Sequence, residues 1–255
     1  MITGKRMSSV FKYCAPKKHY FEVLSKNQVN FSHPRFLNDE AESAEYLIKP
    51  YQRFCKDVGW GGISTQIFDD QAIASFTNAN YADNPCLWKE YARDSSGFAV
   101  EYDRNILSNL AESYCIPLHI DDVQYIDSLF DLNNYNNGFN DPIAGMTIII
   151  KDCVNDFKQG DSRKLDYLFR HLRYVKLKTT WEQECESRMV IGQIAKNSKY
   201  LQKTPFGYNL DLPVGTIKSV TIGSRMCLCC VKSIRQIAEK NGYEIRLQDA
   251  IPSKR

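Results

Sequence analysis

The sequence predicts an α+β fold: a single compact domain with a split, mainly antiparallel β core flanked by helices. Three observations carry this expectation. Short apolar or alternating runs that read as strands are interleaved with helical stretches, without the regular alternation of a parallel α/β sheet. Hydrophobic residues make up 43% of the 255 residues and charged residues 25%, the composition of a folded globular chain. No internal repeat or low-complexity linker divides the chain, so residues 1–255 are read as one domain.

Taken in order, Val10 to Cys14 reads as a strand, Lys17 to Ser25 as a helix, and Val29 to Ser32 as a strand stopped by Pro34. A polar loop, Pro34 to Glu40, leads to a helix-like stretch, Ala41 to Val58, interrupted at Pro50. Gly59-Trp60-Gly61-Gly62 marks a flexible connection. Ala72 to Thr77 is apolar and short, as a buried strand would be. Asn84-Pro85 pairs an N-cap with proline at the first helical position and opens a helix through Arg93. Gly97 to Tyr102 is a strand, Asn105 to Tyr114 a helix, and Ile116 to Tyr125 extended. A loop over Asn133 to Asn140 precedes two helices, Ile143 to Phe157 and Arg163 to Tyr174. Cys185 to Ile191 alternates as a strand, and a hairpin follows around Pro205 and Gly207. Ile217 to Ile222 is a strand ending at Gly223. Cys227 to Asn241 is a helix closed by Gly242, and Tyr243 to Leu247 is a last strand.

Bulk properties exclude several classes. A net charge of +3 falls short of the dense Lys/Arg footprint of a dedicated nucleic-acid binder, but suits a small nucleotide. The longest apolar run, Ile143 to Ile150, is far shorter than the roughly 20 residues a membrane span needs. Residues Met1 to Arg6 carry no apolar signal core. Nine scattered cysteines, an odd count, suit a reducing compartment better than a disulfide framework. A cytoplasmic protein with no membrane partner is expected.

The strongest candidate for chemistry is Glu184-x-Glu186-x-Arg188. Strand side chains alternate faces, so these three are expected on one face, with Cys185, Ser187, Met189 and Ile191 facing the core. Two carboxylates and a guanidinium in a row can separate an acid from a base or orient a ribose. They also fit a solvated strand face laced by weak ion pairs. Trp181 beside them can stack on a flat ring or anchor the core. The loop from Phe31 to Glu40 gathers Ser32, His33, Arg35, Asn38 and Asp39, either as a functional loop or as a helix cap. Trp88 and Tyr91, spaced i and i+3, fit a core-facing helix stripe. Cys227, Cys229 and Cys230 are a redox or zinc half-site by spacing, and are expected as buried thiols because no second pair accompanies them. The four histidines form no metal-binding pattern, and no phosphate-binding glycine loop is present.

Taken together these residues resemble a bacterial family catalogued as domain of unknown function 2971. The resemblance runs from Phe11-Lys12-Tyr13 through Phe31-Ser32 and Asn38-Asp39. It continues with Ser75-Phe76-Thr77, Leu87-Trp88, Tyr91-Ala92 and Gly97 to Asp103. Lys178, Trp181, Glu184, Glu186 and Arg188 match a K-x-x-W-x-x-E-x-E-x-R segment, and Ile217 to Gly223 a late strand. It covers about residues 10–225, leaving the helix and strand of 227–248 beyond it. Glu40, Ser75, Leu87, Ser95 and Ser96 depart from the family pattern.

More remotely, the layout resembles ADP-ribosyltransferases. Lys12 occupies the place of their first-strand Arg or His, Ser32 that of their second-strand hydroxyl, and Glu184-x-Glu186 that of their late E-x-E. The resemblance implies an NAD-dependent ADP-ribosyltransferase or NAD glycohydrolase, of toxin-like or phage-defence type, with a protein or nucleic-acid acceptor. It implies Glu186 as the carboxylate that stabilises the ribosyl cation and binds the ribose, and Glu184 as the group that activates the acceptor. Lys12 and Arg188 would hold phosphates or pin the carboxylates, and Tyr13 or Trp181 would stack a ring. Ser32 would join Lys12, Tyr13, Trp181 and Arg188 in binding NAD; Asn38, Asp39 and Trp88 are further pocket candidates, and no metal is expected. Two alternatives stay open: a non-catalytic module that binds a nucleotide or a partner, and a metal-dependent nuclease.

Overall fold

The computed structural model describes residues 9–37, 71–78, 84–126, 138–141, 146–149, 152, 155–156, 159–161, 172–177, 182–192 and 198–248. Its architecture is α+β: a mixed, mostly antiparallel sheet of ten strands, with helices packed on it. No helix among the described residues is long and apolar enough to cross a membrane.

The sheet is built from β1 (Ser9–Cys14), β2 (Gln28–Ser32), β3 (Ala72–Asn78), β4 (Phe98–Asp103), β5 (Leu118–Asp122), β10 (Glu186–Ile191), β11 (Leu201–Thr204), β12 (Gly207–Asp211), β13 (Ile217–Ile222) and β14 (Glu244–Leu247). Two short pairs stand apart from it. In one, β6 (Gln124–Ile126) runs parallel to β9 (Val175–Leu177); in the other, β7 (Gly138–Asp141) runs antiparallel to β8 (Met146–Ile149). The helices are α1 (Lys18–Ser25), α2 (Pro85–Glu90), α3 (Arg104–Tyr114) and α4 (Leu228–Asn241).

Strand β3 organises the site. One of its edges is paired along its length with β10, from Glu186↔Thr77 to Ile191↔Ala72. The opposite edge is shared by two strands. β1 meets it at Phe11↔Thr77 and Val10↔Asn78, and β2 meets it at Ser32↔Ile73. Between those contacts neither β1 nor β2 is paired with β3, while β1 pairs along its whole length with β4. The sheet is therefore split between Phe11 and Ser32, the residues by which β1 and β2 hold β3 on either side of the gap.

Local sequence explains the framing elements. Asn84 caps α2 by accepting from the Cys86 N–H, with Pro85 at the first helical position. Asp103 ends β4 and caps α3 by accepting from the Asn105 and Ile106 N–H groups. Gly242 closes α4 at φ 75°, a left-handed conformation that costs glycine nothing. The core joins the two sheet halves through Val10, Phe31, Phe98, Met189 and Val220, all at or below 1% exposure. Each such side chain contributes about 1.5–3 kcal/mol of burial.

Some expectations are corrected. α2 ends at Glu90 rather than Arg93, because Arg93, Asp94 and Ser95 all take positive φ. Within the helix expected over Ile143 to Phe157, residues Met146–Ile149 form a strand, as the β-branched run Thr147-Ile148-Ile149 favours. Gly138 to Asn140, expected as loop, pair with it. The end of the helix expected over Arg163 to Tyr174 is a 3₁₀ turn, Leu172–Tyr174. The expected helix Ala41 to Val58 and the Gly59–Gly62 connection lie outside the described residues.

Candidate functional site

The polar centre lies at the start of β10. Glu186 is 4% exposed, and both its oxygens are engaged. Arg188 grips it with two prongs, Nε to Oε1 at 2.9 Å and Nη2 to Oε2 at 3.1 Å, and Lys176 Nζ reaches Oε2 at 2.7 Å. Arg188, 1% exposed, is itself held by the Arg173 carbonyl through Nη1 at 2.6 Å. The Glu186 backbone N–H donates to the Tyr125 hydroxyl at 2.9 Å.

Glu184 joins this centre by an indirect route. It is not in the strand, as the alternation of Cys185 to Ile191 suggested for its neighbours. It ends a 3₁₀ turn, Glu182–Glu184, and Cys185 takes φ 43° before β10 begins. That reversal still delivers its carboxylate to the same place: Lys176 Nζ donates to Oε2 at 2.9 Å and the Tyr91 hydroxyl to Oε1. Thr77 Oγ1 fixes the turn by donating to the Glu184 carbonyl at 2.6 Å. Lys176 thus bridges the two carboxylates, which are the acidic pair of the site.

Burial by itself pushes the Glu186 carboxyl up, but the charges and hydrogen bonds of Arg188 and Lys176 outweigh it and hold the group at about 2. Glu186 is therefore a permanent anion at neutral pH. Burial pulls the Lys12 ammonium below the usual lysine range, opposed by Cys14 and by the Glu186 carboxylate. Among the described residues its Nζ makes one hydrogen bond, to the Ser75 carbonyl at 3.2 Å, and it lies 5.6 Å from the centre of the Phe76 ring. An ammonium has three donors, so two remain for a ligand.

These groups border one cavity of about 200 Å³, set in the split between β1 and β2. Of the residues singled out in the sequence, Lys12, Tyr13, Ser32, Glu184 and Glu186 line it together. Arg188 does not. It sits sealed behind Glu186, so its work is to pin the carboxylate rather than to touch a ligand. Trp88 is 1% exposed and packs edge-on against Tyr13 at 5.1 Å, which makes it the support of the cavity wall. Trp181, Asn38 and Asp39 lie outside the described residues.

Sequence reasoning missed Lys176, which bridges the pair, and it assigned Tyr91 to the core, where only its ring belongs. Tyr91 packs against the Trp88 cluster and turns its hydroxyl to Glu184. No spacing rule links Lys176 to Glu184 and Glu186; β9, which carries it, pairs with β6 outside the main sheet. On the far face of β10, Ser187 joins a second, partly buried network. Arg104 Nη1 donates to Asp122 Oδ1 at 2.6 Å, Ser187 Oγ at 3.2 Å and Asn78 Oδ1 at 3.3 Å. Met189 and Ile191 enter the core on that face as expected.

No protein-family model, no curated protein and no solved structure matches this chain.

Proposed function

We propose that the cavity binds NAD and cleaves its nicotinamide–ribose bond, as an ADP-ribosyltransferase or NAD glycohydrolase does. One observation carries the reading: Lys12, Ser32 and an obligately ionised Glu186, far apart in sequence, border a single cavity at a sheet split. In this reaction the nicotinamide departs with the bonding electron pair and becomes neutral, so it needs no general acid. The ribose C1′ is left with oxocarbenium-like positive charge. A fixed carboxylate beside that carbon stabilises the charge without first having to lose a proton. Glu186, held rigid by Arg188 and Lys176, is suited to that role and to accepting from a ribose hydroxyl. Glu184 would take the proton released when an acceptor hydroxyl or water attacks C1′. Lys12 would supply its two spare donors to a phosphate, and Ser32 a hydroxyl to the ribose or amide. Tyr13, its ring fixed by Trp88, offers a surface for a flat ring.

The same pairing argues for a reaction without a bound metal. Both cavity carboxylates are already bonded by Lys176, and a divalent ion there would have to displace an ammonium.

A second reading, a non-catalytic nucleotide-binding module, draws on the full engagement of Glu186 by two cations. Calorimetric titration with NAD separates the two. The catalytic reading predicts that Lys12→Met and Ser32→Ala weaken NAD binding, while Glu186→Gln retains NAD uncleaved. Tight NAD binding by wild type that leaves the dinucleotide intact, with or without an acceptor, would favour the module.

A further inference from the structure

The three cysteines expected to be buried are not. Cys227 and Cys229 are exposed and Cys230 is half-buried, and all three carry free thiols. Cys227 is the N-cap of α4, and Cys229 and Cys230 lie in its first turn. The turn of the helix brings the three sulfurs within 4.8 Å of one another, with Cys227 Sγ and Cys229 Sγ 3.1 Å apart. None of them lines the cavity between β1 and β2.

We propose that Cys227, Cys229 and Cys230 form a surface site for one soft, thiophilic metal ion, cuprous copper, bound by three thiolates. Soft sulfur donors select such ions, and three sulfurs at this separation can close on one ion by small side-chain rotations. A structural zinc site would need a fourth protein ligand. Among the described residues, no His, Asp or Glu belongs to the group. The surroundings tolerate the negative charge of the thiolates. The first turn of α4 has no acidic residue, the positive end of the helix dipole lies there, and Arg225 and Lys232 flank the cluster in sequence. A simple redox dithiol would account for Cys227 and Cys230 but not for the convergence of Cys229. Binding releases any thiol protons to solvent and changes no oxidation state.

The test uses the full-length, fully reduced protein under anaerobic conditions, titrated with Cu(I) buffered by a competing chelator. A parallel arm uses Zn(II). Thiolate-to-copper charge-transfer absorption reports binding, and X-ray absorption reports the ligand atoms. The proposal expects one Cu(I) per chain with sulfur-only coordination. Cys227→Ser and Cys229→Ser should each abolish the saturable step, while Cys115→Ser, an exposed cysteine elsewhere, leaves it unchanged. Both cluster substitutions are at exposed positions, and unchanged thermal melting confirms that the variants fold. Copper uptake that survives the two serine variants overturns the proposal. So does saturable binding of Zn(II) without Cu(I). Failure to take up metal, with closure of a Cys227–Cys230 disulfide on mild oxidation, overturns it in favour of a redox pair.

Discussion

Replacing Glu186 by Gln preserves the shape of the side chain and removes its charge, which isolates the electrostatics of the site. The carboxyl sits at about 2 in the folded protein, against an ordinary 4.5. At about 1.4 kcal/mol per pKa unit, its ionisation stabilises the fold by roughly 3 kcal/mol at pH 7. The folded value lies below the unfolded one, so the contribution is complete above about pH 5 and is lost as the pH falls toward 2. Less than half of it is left at pH 3. Glutamine cannot titrate, and the variant also removes the carboxylate that Arg188 and Lys176 grip, which places the loss at pH 7 at about 3–5 kcal/mol. The assay is urea unfolding of both proteins by circular dichroism at steps from pH 7 to pH 3. The stability gap should narrow by roughly 2 kcal/mol over that range. A gap that is the same at every pH would refute the claim that Arg188 and Lys176 hold Glu186 ionised.

Three further outcomes follow from other contacts. Lys12 carries a charge that burial disfavours, a cost to the fold that is relieved only as the pH rises through its lowered pKa. Lys12→Met should therefore raise the melting temperature at pH 7 while weakening NAD binding; a fall in melting temperature would contradict this. Arg104→Met removes the guanidinium shared by Asp122, Ser187 and Asn78 and should destabilise by about 3 kcal/mol in urea unfolding; a loss below about 1 would make the network incidental. Gly97→Ala would place a Cβ 2.1 Å from the Cys14 carbonyl oxygen and 3.0 Å from that of Ala92, pushing β1 and β4 apart. It should cost about 2–3 kcal/mol, and wild-type thermal stability in this variant would show the strands yield freely.

Much of the frame was legible because local chemistry decided it. Asn84-Pro85 and Gly242 announce helix ends by cap geometry, and Ile217–Ile222 coincides with its strand because its β-branched residues Ile217, Val220, Thr221 and Ile222 favour that state. Legibility failed where tertiary context overrode the pattern. Met146–Ile149 carries apolar residues that fit either period, and pairing with β7 settles it as strand. In the site, Glu186 and Arg188 were legible as a same-face pair two residues apart. Their depth was not: sequence cannot distinguish a solvated strand face from one sealed at 4% and 1% exposure. Lys176 was invisible because its tie to Glu184 and Glu186 crosses from a separate strand pair. The cysteine triad was misjudged for a related reason. Thiols usually go inside, but α4 buries Ile234 and Ala238 and leaves its first turn outward.

Nicotinamide release from NAD by purified protein, with cell lysate as acceptor source, tests the proposed cleavage. Wild type, Glu186→Gln and wild type with a metal chelator are measured side by side. Wild type should release nicotinamide, with full release in chelator, and a Glu186→Gln variant that remains folded by circular dichroism should not. Equal release by the folded Glu186→Gln variant, or release that the chelator abolishes, would contradict it.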